Sequence, residues 1–204
     1  LLQGEFAVAL LREARTRRIK TAVETCGMVS PETIREAAPY LNYVLFDIKH
    51  MDSAEHEAQT GLPNRHILEN FRILAEEFPD LPILARTPVI PGFNDSEEAI
   101  AAFVNSGAER LGGLDALIQN AGIQYNGTVV DFPTEKWDDI MLTNVRSMFL
   151  GAKYAVPHLV TSGGGSIVNT SSVAGKRGGA GMTAYAASKG AIIAFGTGLA
   201  RELA

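Results

Sequence analysis

Residues 114–122 read LDALIQNAG, an apolar run that ends in polar residues and a glycine. Short apolar runs that stop at a turn residue are typical of β-strands, so we predict a strand over residues 114–119. A second run, residues 166–170, follows a series of glycines and predicts another strand. Helices are predicted over residues 134–159 and 183–204. The C-terminal part of the chain is therefore expected to alternate strands with helices.

The same alternation extends toward the N-terminus. The apolar runs there predict strands over residues 20–25, 43–48 and 83–90, and helices over residues 2–17, from Pro31 onward, 64–78 and 94–110. Each gap between strands can hold a crossover helix, which favours a parallel sheet covered on both faces. We predict an α/β fold, with a parallel doubly wound (Rossmann-like) sheet of about five strands and helices on both faces. The alternative is that the N-terminal units keep a barrel-like curvature.

Composition excludes several classes of protein. The chain has 204 residues, 46% of them hydrophobic, and a net charge of −5, which indicates a globular domain that binds neither nucleic acid nor membrane. Cys26 is the only cysteine, and the four histidines have no metal-ligand spacing, so no disulfide framework and no metal site are expected. A cytoplasmic location is expected, and a homo-oligomer is possible.

Four polar residues in the C-terminal part form a candidate catalytic set. Tyr185 and Lys189 are four residues apart on a predicted helix and therefore share one face. Ser172 follows a predicted strand, where loops of parallel sheets gather functional groups. Asn144 interrupts an apolar helix face. Each residue taken alone is more often structural than catalytic.

Taken together, these residues resemble the short-chain dehydrogenase/reductases over residues 111–204. Residues 114–122 match the family strand that ends in Asn-Asn-Ala-Gly, although Gln119 replaces the first asparagine. Residues 165–172, GSIVNTSS, match its serine strand, and residues 185–189, YAASK, match its Tyr-x-x-x-Lys motif. The intervals Asn144–Ser172 and Ser172–Tyr185 also agree with the family.

The resemblance implies a hydride transfer between NAD or NADP and a small carbonyl or alcohol substrate. Tyr185 would give a proton to the carbonyl oxygen, and Lys189 would assist with its positive charge and hold the nicotinamide ribose. Ser172 would hydrogen-bond the developing oxyanion. Asn144 would order a helix kink and a water in a proton relay. The remaining cofactor-binding residues implied are Asn120, Ala121 and Gly122.

The family's glycine-rich phosphate loop has no counterpart before residue 111. The first strand–helix turn reads ETCGMVS over residues 24–30, with one glycine and with Glu24, which would repel phosphate. NAD(P) binding is therefore expected to be weak or absent.

The N-terminal part, residues 1–104, resembles the S-adenosylmethionine radical enzymes that activate glycyl-radical enzymes such as pyruvate formate-lyase. The matching phrases are TAVETCG at 21–27, LFDIKHMD at 45–52, ILEN at 67–70 and VIPGFND at 89–95. The resemblance implies that Asp47 and Lys49 help hold the cofactor's methionine carboxylate and that Glu24 lies near them. Those enzymes bind an iron-sulfur cluster through a Cys-x-x-x-Cys-x-x-Cys loop, and Cys26 belongs to no such loop, so no cluster is expected.

The chain thus contains sequence motifs of two different families. We predict a fragment of the activating-enzyme type over residues 1–106 and a dehydrogenase-like catalytic half over residues 107–204, joined in one continuous α/β domain. The chain lacks an initial methionine, and both of its ends fall inside family patterns, which suggests a truncated, recombined, mis-assembled or engineered sequence. Three functions are open: an impaired NAD(P)-dependent oxidoreductase, a folded chimera without activity, and a fragment that binds nucleotides or S-adenosylmethionine.

Overall fold

The computed structural model describes all of residues 1–204, in which one or more helices separate each strand from the next. The chain divides into two compact units. Unit 1 comprises Leu1–Pro88 and Ser106–Gly112, and unit 2 comprises Val89–Asn105 and Gly113–Ala204. All strand pairs are parallel, so the α/β class and the parallel pairing predicted from the sequence are confirmed.

Unit 1 contains three strands and the helices between them. In chain order these are α1 (Gly4–Thr16), β1 (Ala22–Thr25), α2 (Pro31–Ala37), a 3-10 turn (Ala38–Tyr40), β2 (Tyr43–Asp47), α3 (Ser53–Thr60), α4 (Arg65–Glu77) and β3 (Ile83–Arg86). The strands pair in the order β1-β2-β3, with Val44 opposite both Val23 and Ile83. The first three strands predicted from the sequence are therefore present, with shorter bounds.

The core of unit 1 forms where the sheet meets α4. Phe46 on β2 and Phe71 on α4 are fully buried, and their ring centroids are 5.3 Å apart. The start of α2 is as predicted, because the Ser30 hydroxyl accepts a hydrogen bond from the Thr33 N–H at 3.3 Å. Its first helical residue is Pro31, which needs no amide partner there.

Helix α3 was not predicted from the sequence. The Asp52 carboxylate caps it by accepting hydrogen bonds from the Ala54 and Glu55 N–H groups, and Gly61 ends it with a left-handed φ of 81°. The only buried residue of α3 is His56. A helix with so little apolar surface has no clear apolar periodicity, which explains why the sequence pattern does not reveal it.

Helix α5 (Glu97–Leu111) contributes residues to both units. The Ser96 hydroxyl accepts a hydrogen bond from the Ala99 N–H at 3.1 Å, and Glu97 and Glu98 follow in the first turn. Gly112 follows the last residue with a left-handed φ of 75°. The helix predicted over residues 94–110 is thus present as α5, which starts later, at Glu97.

Unit 2 contains two strands and six helical segments. They are the first part of α5, β4 (Ala116–Gln119), α6 (Thr134–Met141), a π-helical segment (Leu142–Arg146), α7 (Ser147–Thr161), β5 (Ser166–Asn169), α8 (Ala174–Arg177) and α9 (Thr183–Glu202). The helix predicted over residues 134–159 is present, but a π-helical turn divides it into α6 and α7. The predicted helix over residues 183–204 is α9.

The prediction of one five-stranded sheet is wrong. β1, β2 and β3 form one sheet, and β4 and β5 form another. The alternation of strands and helices predicts that the strands run parallel, but it does not determine which strands pair with each other. The burial of β4 shows that it is not a central strand of a larger sheet: Ala116 and Ile118 are exposed, and Leu117 is half-buried. A central strand of a doubly wound sheet is buried on both faces instead.

The core of unit 2 lies between the start of α5, helix α7 and the two strands. Its buried members are Ile100, Val104, Leu150, Ala155 and Leu159, with Phe103, Leu114, Leu117, Tyr154 and Ile167 packed against them. None of the helices of the chain combines the length and the apolar character needed to cross a bilayer.

Candidate active site

The candidate residues of unit 2 follow the carboxyl ends of two paired strands. Asn120, Ala121 and Gly122 come directly after β4, and Ser172 comes shortly after β5. Gln119 and Asn169, the last residues of the two strands, lie opposite each other and are joined by a hydrogen bond from Gln119 Nε2 to Asn169 Oδ1 at 2.9 Å. Because parallel strands end at the same edge of a sheet, both loops begin on one side of unit 2.

Asn144 is fully buried in the π-helical segment. Its Oδ1 accepts a hydrogen bond from the Ile123 N–H at 2.8 Å, and its Nδ2 donates to the Ile123 carbonyl at 2.9 Å. Nδ2 also donates to Ser188 Oγ at 3.0 Å. A π-helical turn widens the helix locally and is frequent at functional sites. The helix irregularity that the family resemblance implies at Asn144 is therefore present as a π-helical turn.

Lys189 is a buried lysine on α9, with only 3% of its surface exposed. Its Nζ donates a hydrogen bond to the Thr170 carbonyl at 2.8 Å. Burial lowers the pKa of Lys189, because a charged ammonium loses hydration away from water. The backbone around it is also fixed, since the Ser171 hydroxyl donates to the Lys189 carbonyl at 2.7 Å. The chain thus holds a cationic group in a defined position beside the end of β5.

Tyr185 lies one helical turn before Lys189 and is half-buried. Lys189 Nζ is 5.7 Å from the centroid of the Tyr185 ring, within the range of a cation–π contact. Ser172 is also half-buried, and its hydroxyl accepts a hydrogen bond from the Ala174 N–H at 3.2 Å at the start of α8. No hydrogen bond joins Ser172 to the other three candidates.

Gly122 brings the two deeply buried candidates together. A Cβ placed on Gly122 would lie 3.3 Å from Asn144 Oδ1 and 3.4 Å from Lys189 Nζ. Glycine at this position therefore leaves room for both polar groups, which a side chain would crowd. Asn120 and Ala121 precede it, but no hydrogen bond joins either of them to the candidate set.

Three residues of this network were missed by the sequence reasoning. Thr170 contributes a carbonyl, Ile123 contributes its backbone amide and carbonyl, and Ser188 contributes a buried hydroxyl. Backbone groups leave no signal in a sequence, because every residue carries them. Ser188 did leave a signal in the sequence, because it directly precedes Lys189 within the YAASK motif.

Unit 1 carries a separate polar cluster at the end of its sheet. Arg86 Nε donates to Asp47 Oδ1 at 2.8 Å, and Arg86 Nη2 donates to Glu24 Oε1 at 2.5 Å. These two carboxylates raise the pKa of Arg86. The sequence placed Glu24 and Asp47 together, which the structure confirms, but it did not identify Arg86 as the cation between them.

A comparison with protein families identifies the C-terminal part of the chain. The family model for short chain dehydrogenase matches residues 86–204, more than half of the chain. The chain belongs to the short-chain dehydrogenase family. The dehydrogenase match begins well before residue 111, so it includes the first part of α5 as well as the four candidate residues.

Curated relatives identify the N-terminal half. The chain is 80% identical over 102 residues to an isethionate sulfite-lyase activating enzyme of Desulfovibrio desulfuricans, covering 50% of the chain and 33% of that protein. It is 51% identical over 123 residues to the same enzyme of Nitratidesulfovibrio vulgaris, covering 60% and 36%. A choline trimethylamine-lyase activating enzyme of Oleidesulfovibrio alaskensis is 41% identical over 104 residues, covering 51% and 33%. The chain thus spans about a third of the length of these relatives. The resemblance to two families that the sequence predicted is confirmed.

The lowered pKa of Lys189 predicts a pH dependence of stability. Between its folded-state pKa and the unfolded value near 10.5, the unfolded chain binds more protons, so the free energy of unfolding rises with pH. The stability that is present when Lys189 is neutral is lost as the pH falls through the folded-state pKa of Lys189. We therefore expect the stability of the wild type, relative to Lys189→Met, to increase as the pH rises toward about 10. Denaturant unfolding at a series of pH values measures this difference.

Lys176→Met is the matched control for that experiment, because it removes an exposed lysine from α8. The stability difference between wild type and Lys176→Met should stay constant over the same pH range. A Lys189→Met difference that is flat or falls with rising pH would contradict the buried, desolvated position of Lys189.

Proposed function

We propose that unit 2 carries the proton-transfer and nicotinamide-ribose half of an NAD(P)-dependent dehydrogenase that interconverts a small carbonyl compound and its alcohol. The observation that supports this most is the position of Lys189. Its buried ammonium group is fixed by the Thr170 carbonyl and lies 5.7 Å from the Tyr185 ring centroid. A cation held beside a phenol in this way can stabilise the negative charge that the phenol oxygen gains as it gives up its proton.

Each candidate residue then has a distinct task. In the reducing direction, the Tyr185 hydroxyl gives its proton to the substrate carbonyl oxygen, and Lys189 stabilises the phenolate that remains. The Ser172 hydroxyl still has its hydrogen free to donate, because its contact with Ala174 uses only an oxygen lone pair. That hydrogen can stabilise the developing oxyanion. Asn144 holds the loop after β4 against α9 through Ile123 and Ser188.

The residues beside Lys189 fit a nicotinamide ribose. An ammonium group has three hydrogens, and Lys189 donates one of them to Thr170, so two are left for neighbouring ribose hydroxyls. Gly122 presents bare backbone where a Cβ would approach Lys189 Nζ to 3.4 Å, which keeps that space open. When NAD(P)H is bound, it supplies the hydride for the substrate carbon.

The pyrophosphate half of the cofactor has no comparable site. Gly27 is the only glycine in the turn after β1, and a Cβ there would lie 2.4 Å from the Phe46 ring. This glycine therefore allows close packing against Phe46, and it does not open a path for phosphate. The neighbouring Glu24 carries a negative charge, which opposes phosphate binding. We propose that cofactor affinity is weak for this reason.

Titration of the purified chain with NADH and with NADPH, followed by nicotinamide fluorescence, tests the proposal. We expect binding in the millimolar range, several kcal/mol weaker than the micromolar binding that a complete dinucleotide site typically achieves, roughly −4 against −8 kcal/mol. Catalysis is tested by adding an aromatic aldehyde or a cyclic ketone and following the loss of reduced nicotinamide. Absence of both binding and turnover would favour the alternative of a folded chimera without activity.

Binding of S-adenosylmethionine by unit 1 is the weaker alternative. The activating-enzyme relatives favour it, but both carboxylates that the resemblance assigns near the cofactor are bound to Arg86. We do not propose radical chemistry, because Cys26 is the only cysteine available for an iron-sulfur cluster.

A further inference from the structure

Ser188 lies between the Asn144 side chain and the backbone of Tyr185. It is fully buried on α9 and directly precedes Lys189. Its hydroxyl donates a hydrogen bond to the Tyr185 carbonyl at 2.7 Å and accepts one from Asn144 Nδ2 at 3.0 Å. A serine hydroxyl has one hydrogen, so donation to Tyr185 leaves only lone pairs for Asn144. The direction of both bonds is therefore fixed.

Ser188 also fixes the orientation of the Asn144 amide. Both Nδ2 hydrogens are used, one on the Ile123 carbonyl and one on Ser188, while Oδ1 accepts from the Ile123 N–H. A flipped amide would place its NH2 group against the Ile123 N–H, two donors facing each other. The result is a continuous hydrogen-bonded connection from the loop after β4, through Asn144 and Ser188, to the helical turn that carries Tyr185.

We infer that Ser188 is a positioning residue for the proposed reaction, an inference that rests on the proposed function. Ser188 acts through its neighbours: it holds Asn144 in one orientation and ties the Tyr185 turn to the loop that contains Gly122. Alanine at this position would leave one Nδ2 hydrogen of Asn144 buried without an acceptor, a costly arrangement. The Asn144 side chain would then rotate or shift, and the connection to Tyr185 would be lost.

Thr197 provides a matched comparison on the same helix. Its hydroxyl also donates to a helix carbonyl, that of Ile193 at 2.9 Å, but it is exposed and makes no second side-chain bond. A local bond of this kind is common for serine and threonine in helices and has little structural consequence. What distinguishes Ser188 is its second partner, Asn144.

Steady-state kinetics of four variants test the inference: Ser188→Ala, Thr197→Ala, Asn144→Ala and the double variant of Ser188 and Asn144. We expect Ser188→Ala to lower kcat roughly 10- to 100-fold, because small misplacements of reacting groups have effects of this size. The KM values for cofactor and aldehyde should not change. In the Asn144→Ala background, the Ser188 substitution should have little further effect, because residues that act through one another are not additive. Thr197→Ala should behave as wild type.

A full additional loss in the double variant would overturn the inference, because Ser188 would then act independently of Asn144. An unchanged kcat in Ser188→Ala, or an equal loss of kcat in Thr197→Ala, would also overturn it.

Hydrogen exchange of the Asn144 side-chain amide, measured by NMR, gives a readout that needs no activity. We expect this exchange to be at least about tenfold faster in Ser188→Ala. Absence of turnover in the wild type would overturn the proposed function and with it the reaction role of Ser188. Unchanged amide exchange would show separately that Ser188 does not hold Asn144.

Discussion

We expect Tyr185→Phe to abolish carbonyl reduction while the fold is retained. Phenylalanine keeps the ring that packs near Lys189 but removes the only hydroxyl that the proposed mechanism uses as the proton donor. Loss of a positioned general acid lowers rates by about 100- to 10,000-fold. The measurement is the loss of reduced nicotinamide in the presence of an aromatic aldehyde, compared between wild type and variant at equal protein concentration.

Tyr154→Phe is the control for this substitution. Tyr154 lies on α7, and its hydroxyl donates to Glu97 Oε1 at 2.7 Å, outside the candidate site. Its removal should leave turnover near the wild-type level. Circular dichroism of both variants should match the wild type. Turnover that survives Tyr185→Phe would mean that another acid, or a contaminating enzyme, is responsible for the activity.

Leu150→Ala is expected to destabilise unit 2 by about 2–5 kcal/mol, the range observed when a buried leucine is truncated. Leu150 is 1% exposed and belongs to the core cluster that includes Ile100, Val104 and Ala155. Removing its side chain leaves a cavity among groups that α5, α7 and the strands hold in place. Denaturant unfolding followed by Trp137 fluorescence measures the change, since Trp137 lies on α6 of the same unit.

The neighbouring Phe149 provides the control, because it is 49% exposed on the same helix. Phe149→Ala removes a larger side chain but leaves no closed cavity, so we expect a much smaller loss of stability. A Leu150→Ala effect no larger than that of Phe149→Ala would show that the core of unit 2 is not packed as described.

The first part of α5 explains how two family patterns can form one folded unit. It lies both in the N-terminal half of the chain, which resembles the activating enzymes, and within the dehydrogenase match over residues 86–204. Its residues Ile100 and Val104 are buried in the core of unit 2. Polar contacts reinforce this packing: Glu97 accepts hydrogen bonds from Lys153 and Tyr154, and Asn105 bonds His158 at 2.8 Å. An amphipathic helix needs only a compatible apolar stripe and paired flanking charges to cover another sheet.

Much of the fold could be predicted because the local signals are strong. The apolar runs located all five strands, and the sequence also predicted helices that begin at Pro31 and near residue 94, where α2 and α5 are found. The prediction of one five-stranded sheet was wrong, because strand pairing depends on contacts between distant segments that periodicity does not encode. The polar helix α3 was missed because His56 is its only buried residue.

For the candidate site, the sequence located side chains but not the bonds between them. It identified Asn144 and Lys189, and the structure places both against Gly122. Their main partners are the backbone groups of Ile123 and Thr170, whose role depends on where the loops after β4 and β5 pass. Such positions follow from tertiary packing, which a motif does not describe. The catalytic roles of Asn144, Ser172, Tyr185 and Lys189 stay predictions.

We propose that unit 2 binds the nicotinamide end of the cofactor and has no site for the pyrophosphate. Saturation-transfer NMR of the chain with NADPH tests this binding mode, because it reports which protons of a weakly bound ligand contact the protein. We predict the strongest transfer to the nicotinamide ring and its ribose, and loss of that transfer in Lys189→Met, which removes the ammonium group beside Gly122. Transfer that is strongest at the adenine, or that is unchanged in Lys189→Met, would contradict the account.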